Sequence, residues 1–150
     1  MLYFNLLPII VVFAFLAIFD LLGSRRINLI IILIAAIVII AANNFIFLNM
    51  YYLLAGVISI GILTLLPLGM GDKLVLSVIF LIYPFYIPWA IIIIAFILSK
   101  PIVAFKRWIF EKMHKHTTRI EVAFYPFLFV SALIVYLSLK ILLLLIPQYL

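Results

Sequence analysis

The sequence predicts an all-α polytopic membrane protein with about six transmembrane helices. Hydrophobic residues make up 71% of the 150 positions, whereas charged residues make up 9%. The mean hydropathy is +1.55. A soluble domain of this size is mostly surface and cannot bury so much apolar material, whereas long apolar runs are typical of membrane-spanning helices. Residues 1–150 are therefore predicted to form a single transmembrane domain.

Short turns that contain glycine, proline, asparagine or charge divide the chain into six apolar segments. The fourth segment is short, roughly 18 Å at ~1.5 Å per residue, against a hydrocarbon core of ~30 Å. Either its helix begins before Asp72, or Asp72 lies in irregular backbone that faces protein or a water-filled cavity. The predicted spans are residues 2–22, 27–43, 51–66, 72–83, 89–99 and 119–146.

The stretch at residues 100–117 has a different pattern, with apolar and charged positions on opposite faces of a helix. This pattern predicts an amphipathic helix that lies in the membrane interface on the cytoplasmic side. Thr118 and Glu121 then have capping-box spacing, which predicts that the sixth span begins near Arg119. The apolar face comprises Ile102, Phe105, Ile109 and Met113, and the charged face comprises Arg107, Glu111, His114 and Lys115.

Positive charge is concentrated on one side of the predicted membrane. Arg25 and Arg26, then Lys73, then the basic residues of 100–119 all follow odd-numbered spans, so they share a side. Lys140 is the one basic residue outside this group. It lies far enough along the last span for its side chain to reach the opposite membrane surface. The positive-inside rule therefore predicts a multi-pass protein of the plasma membrane with both termini outside. The net charge of +6 is explained by this orientation, and no nucleic-acid partner is predicted.

Asp20 and Asp72 are the only aspartates, and both are predicted at the cytoplasmic end of a span. An ionisable group at that depth is expensive and marks a functional hypothesis. Two carboxylates that share a water can hydrolyse a peptide bond, one as base toward the water and the other as acid toward the carbonyl oxygen or leaving amine. Gly69 and Gly71 would let an extended substrate approach the backbone. We therefore expect the two aspartates to meet.

Three stretches resemble a known family. Residues 69–73, Gly-Met-Gly-Asp-Lys, resemble the Gly-x-Gly-Asp motif of the type IV prepilin peptidases and their archaeal preflagellin relatives. Residues 20–28 resemble the first catalytic aspartate of that family, the basic turn of Arg25 and Arg26, and the Ile-Pro-Asn that opens helix two. Here Asn28 follows an isoleucine directly, without the proline. Residues 125–128, Tyr-Pro-Phe-Leu, resemble a Pro-Phe-containing stretch in the archaeal branch.

The resemblance implies that Asp20 and Asp72 are the catalytic pair of an aspartic endopeptidase. It also implies a prepilin- or archaellin-like precursor as substrate, cut between its basic leader and its hydrophobic helix at the cytoplasmic face. The cysteine-bearing insertion associated with N-methylation in many bacterial members is absent, so cleavage without methylation is expected. The motif and substrate-approach residues carried over are Gly69, Gly71, Lys73, Arg25, Arg26 and Asn28.

Other interpretations of the same residues stay open. A presenilin-like or signal-peptide-peptidase-like protease shares Gly-x-Gly-Asp, although segment six has no Pro-Ala-Leu motif. A small transporter or scaffold could use the aspartates as proton carriers. Asp72 could act only as the N-cap of a helix. Asp20 could form a surface ion pair with Arg25 or Arg26, and such pairs contribute little to stability. No His, Cys or carboxylate cluster has metal-ligand spacing, so neither a metal nor a cofactor is expected. The sequence makes no prediction of the oligomeric state.

The absence of cysteine from the chain permits a direct test of the orientation. Single cysteines introduced as Ser24→Cys and Lys112→Cys should react with a membrane-impermeant thiol reagent only from the cytoplasmic side. Asn44→Cys should react only from outside. Labelling from the opposite sides would contradict the predicted topology.

Overall fold

The computed structural model describes residues 6–22, 29–42, 50–66, 68–112 and 123–145. Almost all of these residues are helical, and no strand occurs among them. The all-α prediction is thereby confirmed. In chain order the helices are α1 (Leu7–Leu22), α2 (Leu29–Ala42), α3 (Met50–Leu65), α4 (Met70–Ile82), α5 (Tyr86–Lys112) and α6 (Tyr125–Leu145).

Two of these helices are long and apolar enough to cross a membrane. They are the stretch Tyr86–Ile109 of α5, with 24 residues, and Tyr125–Leu145 of α6, with 21 residues. A full crossing needs about 20 residues, and α1 to α3 supply apolar stretches of only 10–17 residues. Helix α4 has 13 residues. Six complete spans therefore stay a prediction.

Helix α4 is in contact with three other helices. It packs against α2 and α3 and touches α5, while α6 packs against α1 and α5, and α1 against α2. Its buried residues recur at helical spacing, which places one continuous apolar stripe against the neighbouring helices. These residues are Val75, Leu76, Ile79 and Phe80. The start of α4 is thus held from several sides.

The C-terminal half of α4 is joined to α3 and α5 by close contacts. A Cβ atom at Gly56 of α3 would lie 2.6 Å from the carbonyl oxygen of Phe80. The two backbones therefore approach each other more closely than any side chain at position 56 would permit. Trp89 of α5 donates its indole N–H to the Ser59 hydroxyl of α3 at 2.9 Å. The Trp89 ring also meets the Phe80 ring edge-on, with 5.4 Å between centroids.

Helix α4 begins at Met70, which is the first of the two alternatives that the sequence left open for Asp72. Helix α6 begins at Tyr125 rather than near Arg119, since the Phe124 carbonyl accepts the N–H groups of residues 127 and 128. Thr118 and Glu121, the predicted capping box, lie outside the described residues. Residues 2–5 of the predicted first span lie outside the described residues, and the helix is described from Leu7 onward.

The separate interfacial helix at residues 100–117 is also corrected, because α5 runs without a break from Tyr86 to Lys112. Pro88 lies in its first turn, where a helix needs no backbone N–H donor. Pro101 lies inside the helix and removes one donor, yet the helix continues through it. The ring of Phe96 lies 5.3 Å from that of Phe124, just before α6. Residues 97–112 continue the same helix for about 24 Å at ~1.5 Å per residue.

The C-terminal part of α5 exposes aromatic side chains together with basic ones. Phe105 is 60% exposed and Trp108 is 55% exposed. Their rings stack with 6.1 Å between centroids, and the Lys112 ammonium lies 4.9 Å above the Trp108 ring. Such a surface of exposed aromatic and basic groups is typical of helices that meet lipid head groups.

The close approach of α3 and α4 predicts a position-specific effect of an added methyl group. Gly56→Ala forces the Phe80 carbonyl away and should lower the free energy of unfolding by about 1–3 kcal/mol. Gly61→Ala is the matched control, because no atom lies within 4 Å of the Cβ position there. The control should be neutral or more stable by roughly 0.5–1 kcal/mol. Denaturant titration in detergent measures both, and equal effects would contradict the packing.

Candidate active site

Helix periodicity directs Asp20 into the bundle from the last turn of α1. Ile9, Phe13 and Leu16 lie on one stripe of α1 and are completely buried. Asp20 continues that stripe at the next helical step and is only 9% exposed. The carboxylate therefore faces the neighbouring helices.

Asp72 lies in the first turn of α4, two residues after the helix begins. Gly69 is the N-cap residue, and its carbonyl accepts the N–H of Lys73 at 3.1 Å. In the opposite direction, the Gly69 N–H donates to the Asp72 carboxylate. This is the acidic half of a capping box, in which the third helical residue reaches back to the cap. Asp72 is thus not the N-cap residue itself, although its side chain stabilises the same helix end.

The structure places the two predicted aspartates close enough for their charges to interact. Asp20 interacts electrostatically with Asp72, and Tyr125 of α6 interacts with both. The three side chains come from the C-terminal end of α1 and the N-terminal ends of α4 and α6. A site of two carboxylates and one phenol therefore lies at one end of the bundle.

Tyr125 is the residue of this site that sequence reasoning did not single out. It is 4% exposed, and its hydroxyl interacts with the Asp72 carboxylate without meeting the strict distance and angle limits of a hydrogen bond. The sequence carried a weak signal for it, a polar group in a Tyr-Pro-Phe stretch at the head of an apolar segment. The predicted start of the sixth span near residue 119 placed Tyr125 well inside that span and hid the signal.

The two glycines before Asp72 serve different purposes. A Cβ atom at Gly71 would lie 2.6 Å from the Ile32 Cδ1 atom and 3.5 Å from the Tyr125 hydroxyl. The space at Gly71 is therefore filled by side chains of α2 and α6, rather than left open for a substrate as the sequence analysis expected. A Cβ atom at Gly69 would lie 3.2 Å from the Asp72 Oδ2 atom. Gly69 is itself exposed, so its backbone is open to an approaching chain.

Lys73 is directed away from the aspartates. Its ammonium donates to the Thr64 carbonyl at 2.7 Å. That carbonyl belongs to the last turn of α3, where helical carbonyl groups lack partners within the helix. A cation there is favourable for the helix dipole. Lys73 thus links the end of α3 to the start of α4. Arg25, Arg26 and Asn28, the other predicted motif residues, lie outside the described residues.

The chemistry available at this end of the bundle is acid–base chemistry. Asp20 is buried, whereas Asp72 is partly exposed. Within the described ranges, no group of three His, Cys, Asp or Glu side chains could hold a metal ion. A carboxylate pair can exchange protons with a bound water or substrate without any other group.

The chain was compared with protein-family models, with curated proteins and with solved structures, and none of the three comparisons found a match.

The contact between Gly71 and Ile32 predicts a coupled pair of substitutions. Gly71→Ala presses a methyl group onto the Ile32 Cδ1 atom and should destabilise the protein, but less than Gly56→Ala does, because Cδ1 is the flexible end of a side chain. Ile32→Val deletes that Cδ1 atom. In the double variant the cost of Gly71→Ala should therefore be smaller than in the parent. Denaturant titration of the four proteins gives the coupling energy, and additive effects would refute the contact.

Proposed function

We propose that this protein is a membrane-embedded aspartic endopeptidase in which Asp20 and Asp72 activate a water molecule against a peptide bond. The observation that carries the proposal is the meeting of two carboxylates from α1 and α4. Two like charges in a largely apolar bundle raise the free energy of the folded state. This cost favours a role in chemistry over a role in stability.

The pair can complete hydrolysis with one shared proton, as two adjacent carboxylates do in aspartic proteases. The ionised carboxylate takes a proton from water while the water oxygen attacks the carbonyl carbon. The protonated carboxylate gives its proton to the carbonyl oxygen, which forms a neutral tetrahedral diol. The diol then collapses: one carboxylate protonates the leaving nitrogen, the other takes a hydroxyl proton, and the C–N bond breaks. The pair ends with one proton, as it began.

The surface of the bundle supports a location in the lipid bilayer. Large apolar side chains are exposed along the helices, among them Val11 at 62%, Ile30 at 62%, Ile58 at 64% and Ile97 at 60%. Water-soluble monomers rarely expose contiguous apolar patches of more than a few hundred Å². The two long apolar helices, α5 and α6, point to the same location.

The positions of the basic residues support a cytoplasmic site. Lys73 lies at the aspartate end of α4, and the basic residues of α5 follow Phe96, which lies beside Phe124 at the start of α6. The positive-inside rule assigns such an end to the cytoplasm. The basic residues of this part of α5 are Lys100, Lys106, Arg107 and Lys112.

The substrate class that we propose is a prepilin- or preflagellin-like precursor, cleaved after its basic leader without N-methylation. Support for it comes from the resemblance of residues 20–28 and 69–73 to the motifs of the prepilin and preflagellin peptidases. The exposed backbone of Gly69 beside the Asp72 carboxylate gives an extended chain a place to lie.

A proton carrier of a small transporter is the non-enzymatic alternative, because a buried carboxylate such as Asp20 also suits proton transfer within a membrane. The two functions differ in one measurable respect. A peptidase releases two peptide fragments from a precursor, whereas a carrier moves protons across vesicles and leaves the precursor intact.

The proposal predicts that each aspartate is required for cleavage. Asp20→Asn and Asp72→Asn should each lower kcat/KM by roughly 10³-fold or more, and the double variant should lose little beyond that, because the pair acts as a unit. The measurement is mass spectrometry of a precursor peptide, a basic leader followed by an apolar helix, incubated with purified protein.

Gly61→Ala is the control for handling and folding and should cleave at the parental rate. Strong chelators should leave the parental rate unchanged. Cleavage by either asparagine variant at near-parental rate would refute the assignment. Inhibition by chelators that added zinc reverses would indicate a metal peptidase instead.

A further inference from the structure

We propose that Tyr125 is a positioning residue of the aspartate pair, whose hydroxyl donates a hydrogen bond to Asp72 when substrate and water occupy the site. This inference rests on the proposed function. Nothing in the motifs carried over from the sequence assigns this role to Tyr125.

The Tyr125 hydroxyl is in an unfavourable state in the bundle. Among the described residues, it is the buried side-chain polar atom that has no hydrogen-bond partner. Buried polar groups in folded proteins nearly always have a partner, and those that do not call for an explanation such as a functional role. Phenylalanine has the same shape without the unpaired group and would suit a purely structural position better.

The hydroxyl lies where a donor would be useful. It is 3.5 Å from the Cβ position of Gly71, the residue before Asp72. It interacts with the charges of both carboxylates, and its contact with Asp72 is at the limit of hydrogen-bond geometry. Hydrogen bonds of catalytic groups are often long in the free enzyme and shorten in the complex with substrate. A small shift of the Asp72 carboxylate completes this bond.

The start of α6 holds the ring in place. Phe124 packs against Phe96 of α5, with 5.3 Å between ring centroids. Leu128, one turn after Tyr125, is completely buried, and the Ser131 hydroxyl donates to the Phe127 carbonyl at 2.6 Å. A ring anchored in this way presents its hydroxyl in a fixed direction, which is what a positioning group requires.

The role of the hydroxyl is to fix the carboxylate and not to transfer a proton. The Asp72 carboxylate already accepts the Gly69 N–H. A second donor, from α6, would fix the rotation of the carboxylate plane toward the bound water. Correct orientation of the base contributes to the rate of the chemical step and little to the binding of substrate.

Tyr125→Phe tests the inference, because it removes the hydroxyl and keeps the ring. We expect kcat for the precursor peptide to fall about 10-fold or more, with KM unchanged. The melting temperature should stay the same or rise, because the unpaired buried hydroxyl is gone. Tyr136→Phe is the matched control on the same helix, since its ring lies under the Lys140 ammonium, 5.2 Å away. The control should keep the parental kcat.

The alternatives have different signatures. An unchanged kcat in Tyr125→Phe, or a rise in KM alone, would overturn the inference. A fall in kcat together with a fall in melting temperature would also overturn it, because that result indicates a structural role. If Tyr125→Phe cleaves the precursor at the parental rate while Asp72→Asn does not cleave it, the inference fails and the proposed function stands. If the parent cleaves no precursor, the proposed function fails and takes this role with it.

A second measurement does not depend on cleavage. With an isotope label at Tyr125 alone, the infrared band of its C–O bond should differ between the parent and Asp72→Asn, both bound to a non-cleavable precursor analogue. An identical band in the two proteins would overturn the inference.

Discussion

The hydrogen bond from the Gly69 N–H to the Asp72 carboxylate joins the start of α4 to the candidate site. It satisfies one of the backbone donors that every helix leaves unpaired at its N-terminus. It also fixes the direction in which Asp72 points. Because α4 packs against α2 and α3 and touches α5, whatever fixes its first turn also fixes the site relative to most of the bundle. Local helix capping and the position of the site therefore depend on the same contact.

Close approach between backbones allows so short a helix to hold this position. Helix α4 has 13 residues, about 20 Å at ~1.5 Å per residue, and can bury few side chains of its own. Gly56 lets α3 contact its C-terminal half, and Gly71 lets Ile32 and Tyr125 contact its first turn. Lys73 adds a bond to the end of α3. Without these contacts, the two ends of α4 would be free to move and the carboxylates would separate.

The all-helical fold was predictable from the sequence because long apolar runs separated by turn residues are typical of membrane-spanning helices. The meeting of Asp20 and Asp72 was expected because both were assigned to the same end of a span. Boundaries were less predictable, since proline reads as an interruption while Pro88 and Pro101 both lie within α5. The role of Gly71 depends on Ile32, a residue of another helix that no local pattern connects to it. Tyr125 was missed for a similar reason, because its lack of a partner is a property of the packed bundle alone.

The central claim is that the side chains of Asp20 and Asp72 lie side by side, and the absence of native cysteine allows this to be tested directly. The double variant Asp20→Cys with Asp72→Cys should be joined rapidly by a short bifunctional thiol reagent, which shows as a shift in gel mobility after a cut in a connecting loop. Leu22→Cys with Asp72→Cys is the matched control, because Leu22 is 83% exposed and points away from the bundle. The account predicts cross-linking of the first pair and little of the second. Equal cross-linking of the two pairs, or none in the first, would contradict it.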